Sequence, residues 1–178
     1  MLKTALALSL VVAAWALPLL AQAPITPEAQ KVYADLNQLM RGVLYPAANV
    51  VFSAQADNPA EIKFVPGHDP NMSTDPLTSS FGGWQAVENA SLALAESAAL
   101  LTIEGRKCSN GVAVPTKDAA WMAFVQQVRD AGMQAYAAAK AKDQDKMIEV
   151  AETVSKSCDG CHRRFRNPRP PATRCKAS

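Results

Sequence analysis

A Cys-x-x-Cys-His sequence, from Cys158 to His162, lies near the end of the last amphipathic stretch of this chain. Apolar residues recur there every three or four positions, which is the spacing of one face of an α-helix. The positions of this stripe are Met147, Val150 or Ala151, Val154, Cys158, Cys161 and Phe165. Both cysteines are therefore predicted to face the protein core, so the fold must provide room for whatever they bind.

The spacing of these residues is that of the covalent attachment site for c-type haem. In such a site each thiol adds to a haem vinyl group and forms a thioether, and the adjacent histidine becomes an axial ligand of the iron. Cys158 and Cys161 are therefore predicted to bind one haem c covalently. His162 is predicted to be its proximal iron ligand.

Two other kinds of site use a similar pair of cysteines. A thioredoxin-like redox site begins a helix within a βαβ unit, whereas these cysteines lie at the end of a helical chain. A zinc site needs a fourth ligand, which would have to come from Cys108, Cys175 or His68. A structural disulfide or a zinc site is thus the alternative to haem.

The N-terminal sequence is typical of a secretory signal peptide, with a charged start and a short apolar segment over residues 5–17. We expect residues 1–23 to be this signal peptide, cleaved after Ala21 or Ala23, and residues 24–178 to form one domain. No later stretch has the apolar length of a transmembrane helix. The expected protein is exported, soluble and periplasmic, without stable membrane insertion unless the signal segment is retained as an anchor.

The net charge of +2 at neutral pH indicates neither nucleic acid nor a strongly charged membrane surface as a partner. Basic residues are nevertheless concentrated after the haem motif. They are Arg163, Arg164, Arg166, Arg169, Arg174 and Lys176. This segment is interpreted as a docking patch for an acidic redox partner, a counter-charge for haem propionates, or a solvated basic tail.

Two cysteines, Cys108 and Cys175, remain once the haem motif is set aside. An oxidising compartment allows such a pair to form a disulfide. This bond would tie the proline-rich tail to the end of an inner helix and stabilise the fold by about 3–5 kcal/mol. Two free thiols are the alternative.

Helical spacing of apolar residues, without sustained strand alternation, predicts an all-α fold. The first predicted helix begins at Thr26, includes Val32 in its apolar stripe, and bends or restarts near Tyr45 because Pro46 lacks a backbone donor. An irregular crossover follows over residues 57–80. The other predicted helices run from Phe81 or Trp84 to Glu104, from an N-cap at Thr116 to about Ala141, and from an N-cap at Asp143 to about Asn167. Together they predict an antiparallel four-helix bundle with haem near the C-terminal end of the last helix.

Residues 158–166 have the pattern Cys-x-x-Cys-His-x-x-Phe-Arg at the end of the last of four helices. This pattern resembles the cytochrome c′ and cytochrome c556 group of class II cytochromes. The resemblance is specific over these residues, and the helix order agrees over most of the mature chain. It implies that Phe165 and Arg166 pack beside the proximal histidine. The long crossover, Cys108 and the proline-rich tail depart from the compact family pattern.

In this group the distal side of the iron faces helix one, where some members leave it apolar and vacant and others place a methionine. The resemblance therefore implies Met40 as the candidate distal ligand, with an ordinary core methionine as the alternative. Arg41 is a candidate partner for a haem propionate, with a solvated arginine as the alternative. Further candidates for the haem pocket are Tyr45, Trp84 and Trp121, with ordinary core packing as the alternative.

The function implied is that of an exported monohaem cytochrome that carries single electrons between periplasmic redox proteins and is not an enzyme. Related bundles often form homodimers through helix faces, so a homodimer is one of the expected states. The alternative is a five-coordinate protein that binds nitric oxide or carbon monoxide. The sixth iron ligand distinguishes the two, because a thioether raises the iron potential and closes the open position.

Overall fold

The computed structural model describes residues 31–62, 69–167 and 169–176. Within these ranges the chain is helical and has no β-strand; Lys107 and Ala113 form one isolated antiparallel bridge. The predicted signal peptide, the predicted helix start at Thr26 and the candidate zinc ligand His68 lie outside the described residues. The all-α prediction is confirmed for the part that is described.

The first helical segment comprises α1 (Leu36–Leu39), a π-helical turn (Met40–Leu44) and α2 (Tyr45–Ala56). Asp35 begins it: the Asp35 carboxylate accepts a hydrogen bond from the Gln38 amide, and the Gln38 side chain accepts one from the Asp35 amide. This reciprocal capping satisfies two backbone donors and fixes the helix start. The prediction that Val32 belongs to this helix is therefore wrong.

The restart predicted near Tyr45 is confirmed, and it takes the form of the π-helical turn. The Tyr45 amide donates to the carbonyl of Met40, five residues earlier. Pro46 lies in the first turn of α2 and has no amide hydrogen, so the α-helical bond to the Gly42 carbonyl cannot form. The wider turn therefore precedes the proline and carries Met40.

The remaining helices are α3 (Trp84–Ser97, continued by a 3₁₀ turn over Ala98–Thr102), α4 (Ala119–Ala141) and α5 (Gln144–Phe165). α4 begins later than predicted, because Asp118 rather than Thr116 caps it by accepting from the amides of the second and third helical residues. Asp143 caps α5 as predicted. The predicted crossover is irregular in its described part, with short 3₁₀ turns at Pro70–Met72 and Pro76–Thr78.

One apolar core joins these helices. α3 packs on α4, α4 packs on α5, and α2 contacts both α3 and α5, an arrangement compatible with a helical bundle. The most deeply buried side chains include Val51, Val87, Leu94, Trp121, Met147, Val150 and Val154. Of the helices described, none has the length and apolar character needed to cross a membrane.

The backbones of α3 and α4 approach closely at Gly132. A Cβ atom at this position would lie 2.8 Å from the Ala95 nitrogen and 3.0 Å from the Ser91 oxygen. Both neighbours are helix backbone, which cannot move aside independently. The contact between α3 and α4 therefore requires glycine at this point.

We expect Gly132→Ala to lower the free energy of unfolding by about 1–3 kcal/mol, because overpacking outweighs the better helix propensity of alanine. Gly42→Ala is the matched control, since a Cβ at Gly42 meets nothing within 4 Å. That substitution should instead stabilise the protein by about 0.5–1 kcal/mol. Chemical denaturation followed by circular dichroism measures both. A Gly132→Ala protein as stable as the wild type would contradict the close packing of α3 on α4.

Candidate functional site

One cavity, with a volume of about 550 Å³, brings the cysteine motif and the first helical segment together. This volume lies within the usual range for cofactor and ligand pockets, roughly 300–1,000 Å³. Cys158, Cys161 and His162 line it from α5, and Met40 and Arg41 line it from the π-helical turn. The residues predicted for the two sides of a haem iron thus share one cavity.

Three helices each present one face to this cavity. The wall residues from the first helical segment include Met40, Leu44, Ala48 and Phe52; those from α4 are Trp121, Phe124, Val125 and Val128; those from α5 are Ser155, Cys158, Asp159, Cys161, His162 and, just beyond its end, Arg166. Steps of three or four residues recur in every set, as expected for a single helix face. Most of these positions were not predicted, although the same spacing counted outwards from Met40, Trp121 and Cys158 would have found them.

The aromatic candidates separate into two groups. Tyr45 and Trp121 line the cavity as predicted. Trp84 is buried in the core but is not among the residues that line this cavity. Its position at the start of α3 explains the difference, because the wall takes no residue from Trp84–Ser97, although Leu101 in the 3₁₀ continuation lines it. Trp84 is therefore a core residue, which was the alternative to a place in the pocket.

The end of α5 is fixed by aromatic packing. Phe165 is buried, and its ring meets the rings of Trp121 and Phe124 edge to face, with centroids 5.2 and 6.3 Å away. A Cβ at Gly160 would lie only 2.8 Å from Cε1 of Phe124. The helical turn that carries both cysteines is therefore held tightly against α4.

Partial burial keeps the two thiols in their protonated form. It raises the pKa of Cys158, and together with the neighbouring Cys158 it raises the pKa of Cys161 to about 12. Both groups are therefore protonated at neutral pH. A thioredoxin-like dithiol needs a cysteine of lowered pKa, so this environment disfavours that alternative.

Burial, followed by the positive charge of Arg166, lowers the pKa of His162. The imidazole is therefore neutral at neutral pH. A neutral imidazole has a free nitrogen lone pair, which is the form that binds a metal.

The zinc alternative finds little support in the described part of the chain. No three His, Cys, Asp or Glu side chains are grouped there so that they could hold a metal ion. Two of the candidates for the fourth zinc ligand, Cys108 and Cys175, lie at disulfide distance from each other, with Cα atoms 6.5 Å apart. A tetrahedral site on Cys158 and Cys161 would therefore lack both of them.

The residues of the cavity fit haem. Two thiols and an imidazole lie on one wall, a thioether lies on another, and most of the remaining wall is apolar. Arg41 and Arg166 also line the cavity and are exposed, so cationic groups are available for propionates. These are the groups that covalent haem attachment and axial ligation require.

The basic segment after the motif is folded and is not a free tail. The Arg163 guanidinium forms an ion pair with Asp159 at 2.8 Å. Arg169 donates from Nε to the Arg164 carbonyl and from Nη1 to the Lys176 carbonyl. The segment therefore turns back on the end of α5.

Comparisons with protein families, with curated proteins and with solved structures find no match to this chain. Its function is therefore inferred from the cavity and from the residues that line it.

We expect Cys108 and Cys175 to be joined in the oxidised protein. In a variant carrying Cys158→Ala and Cys161→Ala, no thiol should react with iodoacetamide under denaturing conditions before reduction, and two should react after it. Mass spectrometry counts the added groups. Alkylation of two thiols without reductant would show that the pair is unbonded.

Proposed function

We propose that this chain is an exported monohaem c-type cytochrome that carries single electrons between periplasmic redox proteins. The observation that carries the proposal is the cavity lined by Cys158, Cys161 and His162 on one side and by Met40 on another helical segment. We also infer that the helices form an antiparallel four-helix bundle with the haem near the C-terminal end of α5.

In this proposal Cys158 and Cys161 anchor the group and His162 is the proximal ligand. When bound, haem supplies an iron that changes reversibly between ferric and ferrous states by one electron. The His162 carbonyl accepts hydrogen bonds from the amides of Arg166 and Asn167, at 2.9 and 2.6 Å. These bonds close the last turn of α5 and hold the backbone that carries the imidazole.

The other wall residues control the surroundings of the group. Apolar side chains such as Leu44, Phe52 and Val125 exclude water from their part of the cavity. Burial and local dielectric are among the means by which a protein sets the potential of a haem iron. No nucleophile and base pair is needed for this function, and we propose none.

Met40 is proposed as the distal ligand for three reasons. It is partly buried against the core, and it lies on the cavity-facing side of the first helical segment, four residues before Leu44. The turn that carries it is π-helical, a local geometry found frequently at functional sites. A thioether in this position suits electron transfer, because it leaves no open coordination site for a gas.

Export to the periplasm is proposed from the predicted signal sequence in residues 1–23. The proposed cofactor agrees with it, because c-type haem is attached outside the cytoplasm. The exposed cations beside the cavity, Arg163 and Arg166 among them, suit a redox partner with an acidic surface. Association into a homodimer is compatible with the same function.

Expression with a cytochrome maturation system should give a protein heavier by one haem, and the haem should remain attached after denaturation. A variant with Cys158→Ser and Cys161→Ser should lose the covalent haem, because no thiol remains to form a thioether. Cys108→Ser with Cys175→Ser is the matched control and should keep it. Mass spectrometry of the denatured proteins decides, and a wild-type chain without added mass would overturn the cytochrome proposal.

The Met40 assignment has a separate test. The ferrous wild-type protein should be low-spin and bind carbon monoxide poorly, whereas Met40→Ala should be high-spin and bind it readily. Met122→Ala is the control, because Met122 is 42% exposed on α4 and does not line the cavity. Optical spectra with and without carbon monoxide provide the measurement. A high-spin wild type that binds carbon monoxide, with Met40→Ala unchanged, would favour the gas-binding function instead.

A further inference from the structure

The start of α1 is held by a distant part of the chain. The Leu36 amide donates to the Lys107 carbonyl at 2.8 Å, and Nη1 of Arg106 donates to the Ala34 carbonyl at 2.6 Å. Arg106 is only 5% exposed, and its Nε also donates to the Leu100 carbonyl. The first amides of a helix have no partner within the helix. Residues 106–107 thus fix the N-terminus of α1 from outside.

The end of α5 is held in the same way. The Cys175 amide donates to the Phe165 carbonyl at 2.9 Å, and the last carbonyls of a helix likewise have no partner within it. Nδ2 of Asn110 donates to the carbonyls of Pro171 and Arg174, at 2.8 and 3.1 Å. The tail is therefore attached both to α5 and to the loop that follows α3.

Cys108 and Cys175 connect these two attachments. Cys108 follows directly after Lys107 in sequence, and its sulfur lies at bonding distance from that of Cys175. We use the name clasp for residues 106–108 together with Cys175. The clasp joins the start of the helical segment that carries Met40 to the end of the helix that carries His162.

The clasp lies close to both proposed iron ligands. Met40 is four residues from Leu36, about 6 Å along a helix axis, and His162 is three residues from Phe165, about 4.5 Å. A displacement at either helix end is therefore transmitted to the ligand over little more than one turn. Metal coordination tolerates only small errors in ligand position.

We propose that the clasp sets the position of Met40 relative to His162, and that the Cys108–Cys175 bond is needed for the methionine to reach the iron. This inference rests on the proposed function. Without the bond, the contacts among α3, α4 and α5 remain, and so does the motif that anchors the haem. The covalent attachment should therefore survive while the distal ligation is lost.

The test compares the wild type with a variant carrying Cys108→Ala and Cys175→Ala. In the haem-free proteins, hydrogen exchange at the Leu36 amide should be about tenfold or more faster in the variant. Exchange at Val125 and Val128 in α4 should not change. In the haem-loaded proteins, the variant should keep the haem mass but shift from low-spin towards high-spin ferrous iron and bind carbon monoxide.

Two further substitutions make the test specific. Lys107→Ala should behave like the wild type, because the clasp uses the Lys107 carbonyl and not its side chain. Arg106→Lys retains the positive charge but removes the guanidinium group, whose Nε and Nη1 donate to two different carbonyls. It should therefore accelerate hydrogen exchange at the Leu36 amide. If the double cysteine variant does not fold, a dithiol reductant applied to the folded wild type, converting the disulfide to two thiols, provides the same comparison.

Unchanged exchange at Leu36 together with an unchanged spin state, in protein whose mass shows that the bond is absent, would overturn the proposal. A low-spin wild type that does not depend on Met40 would also overturn it. A wild type that takes up no haem would defeat the proposed function, whereas the exchange measurement would still decide whether the clasp holds α1.

Discussion

The packing of α5 against α4 determines where the cysteine motif lies. Met147, Val150 and Val154 are almost fully buried, as is Phe165 beyond the motif. Because an α-helix has a fixed rotation per residue, these positions leave Cys158 and Cys161 no other direction than towards the cavity. Buried apolar residues before and after the motif thus fix its position. Burial of each such side chain stabilises the fold by about 1.5–3 kcal/mol. Rotation of α5 would expose all of them at once.

The wall formed by the first helical segment depends on a different constraint, the absence of a donor at Pro46. The α-helix that begins at Asp35 cannot continue unchanged through the proline, and the extra residue of the π-helical turn is placed just before it. A π-helical turn shifts the rotation of the residues on either side. Met40, Leu44, Ala48 and Phe52 nevertheless line the same cavity. The two walls are therefore set by independent features of the sequence, and the clasp is what connects them at one end.

Several features with a local side-chain origin could be predicted, whereas a long-range contact between backbone groups could not. The Asp143 cap, the restart at Tyr45 and the direction of the α5 stripe follow from nearby residues. The start of α4 was predicted two residues too early, because Asp118 caps the helix and Thr116 does not. The hydrogen bond from Leu36 to the Lys107 carbonyl has no sequence signature, since any residue offers a carbonyl. The cavity wall is an intermediate case. The three- or four-residue spacing of its side chains can be recognised in the sequence, but which helix faces meet depends on packing.

The same burial that shapes the cavity decides which chemistry suits it. It keeps the thiols protonated and the imidazole neutral, a combination unsuited to dithiol exchange but suited to a group held by thioethers and one neutral ligand. Apolar walls from three helices also gain free energy when a largely apolar group replaces water against them. A group that binds only the folded chain stabilises that fold by mass action. In the cytochrome that we propose, covalent anchoring would make this gain independent of the free haem concentration. The stability of this fold and the occupation of its cavity are therefore expected to be linked, with α5 contributing to both.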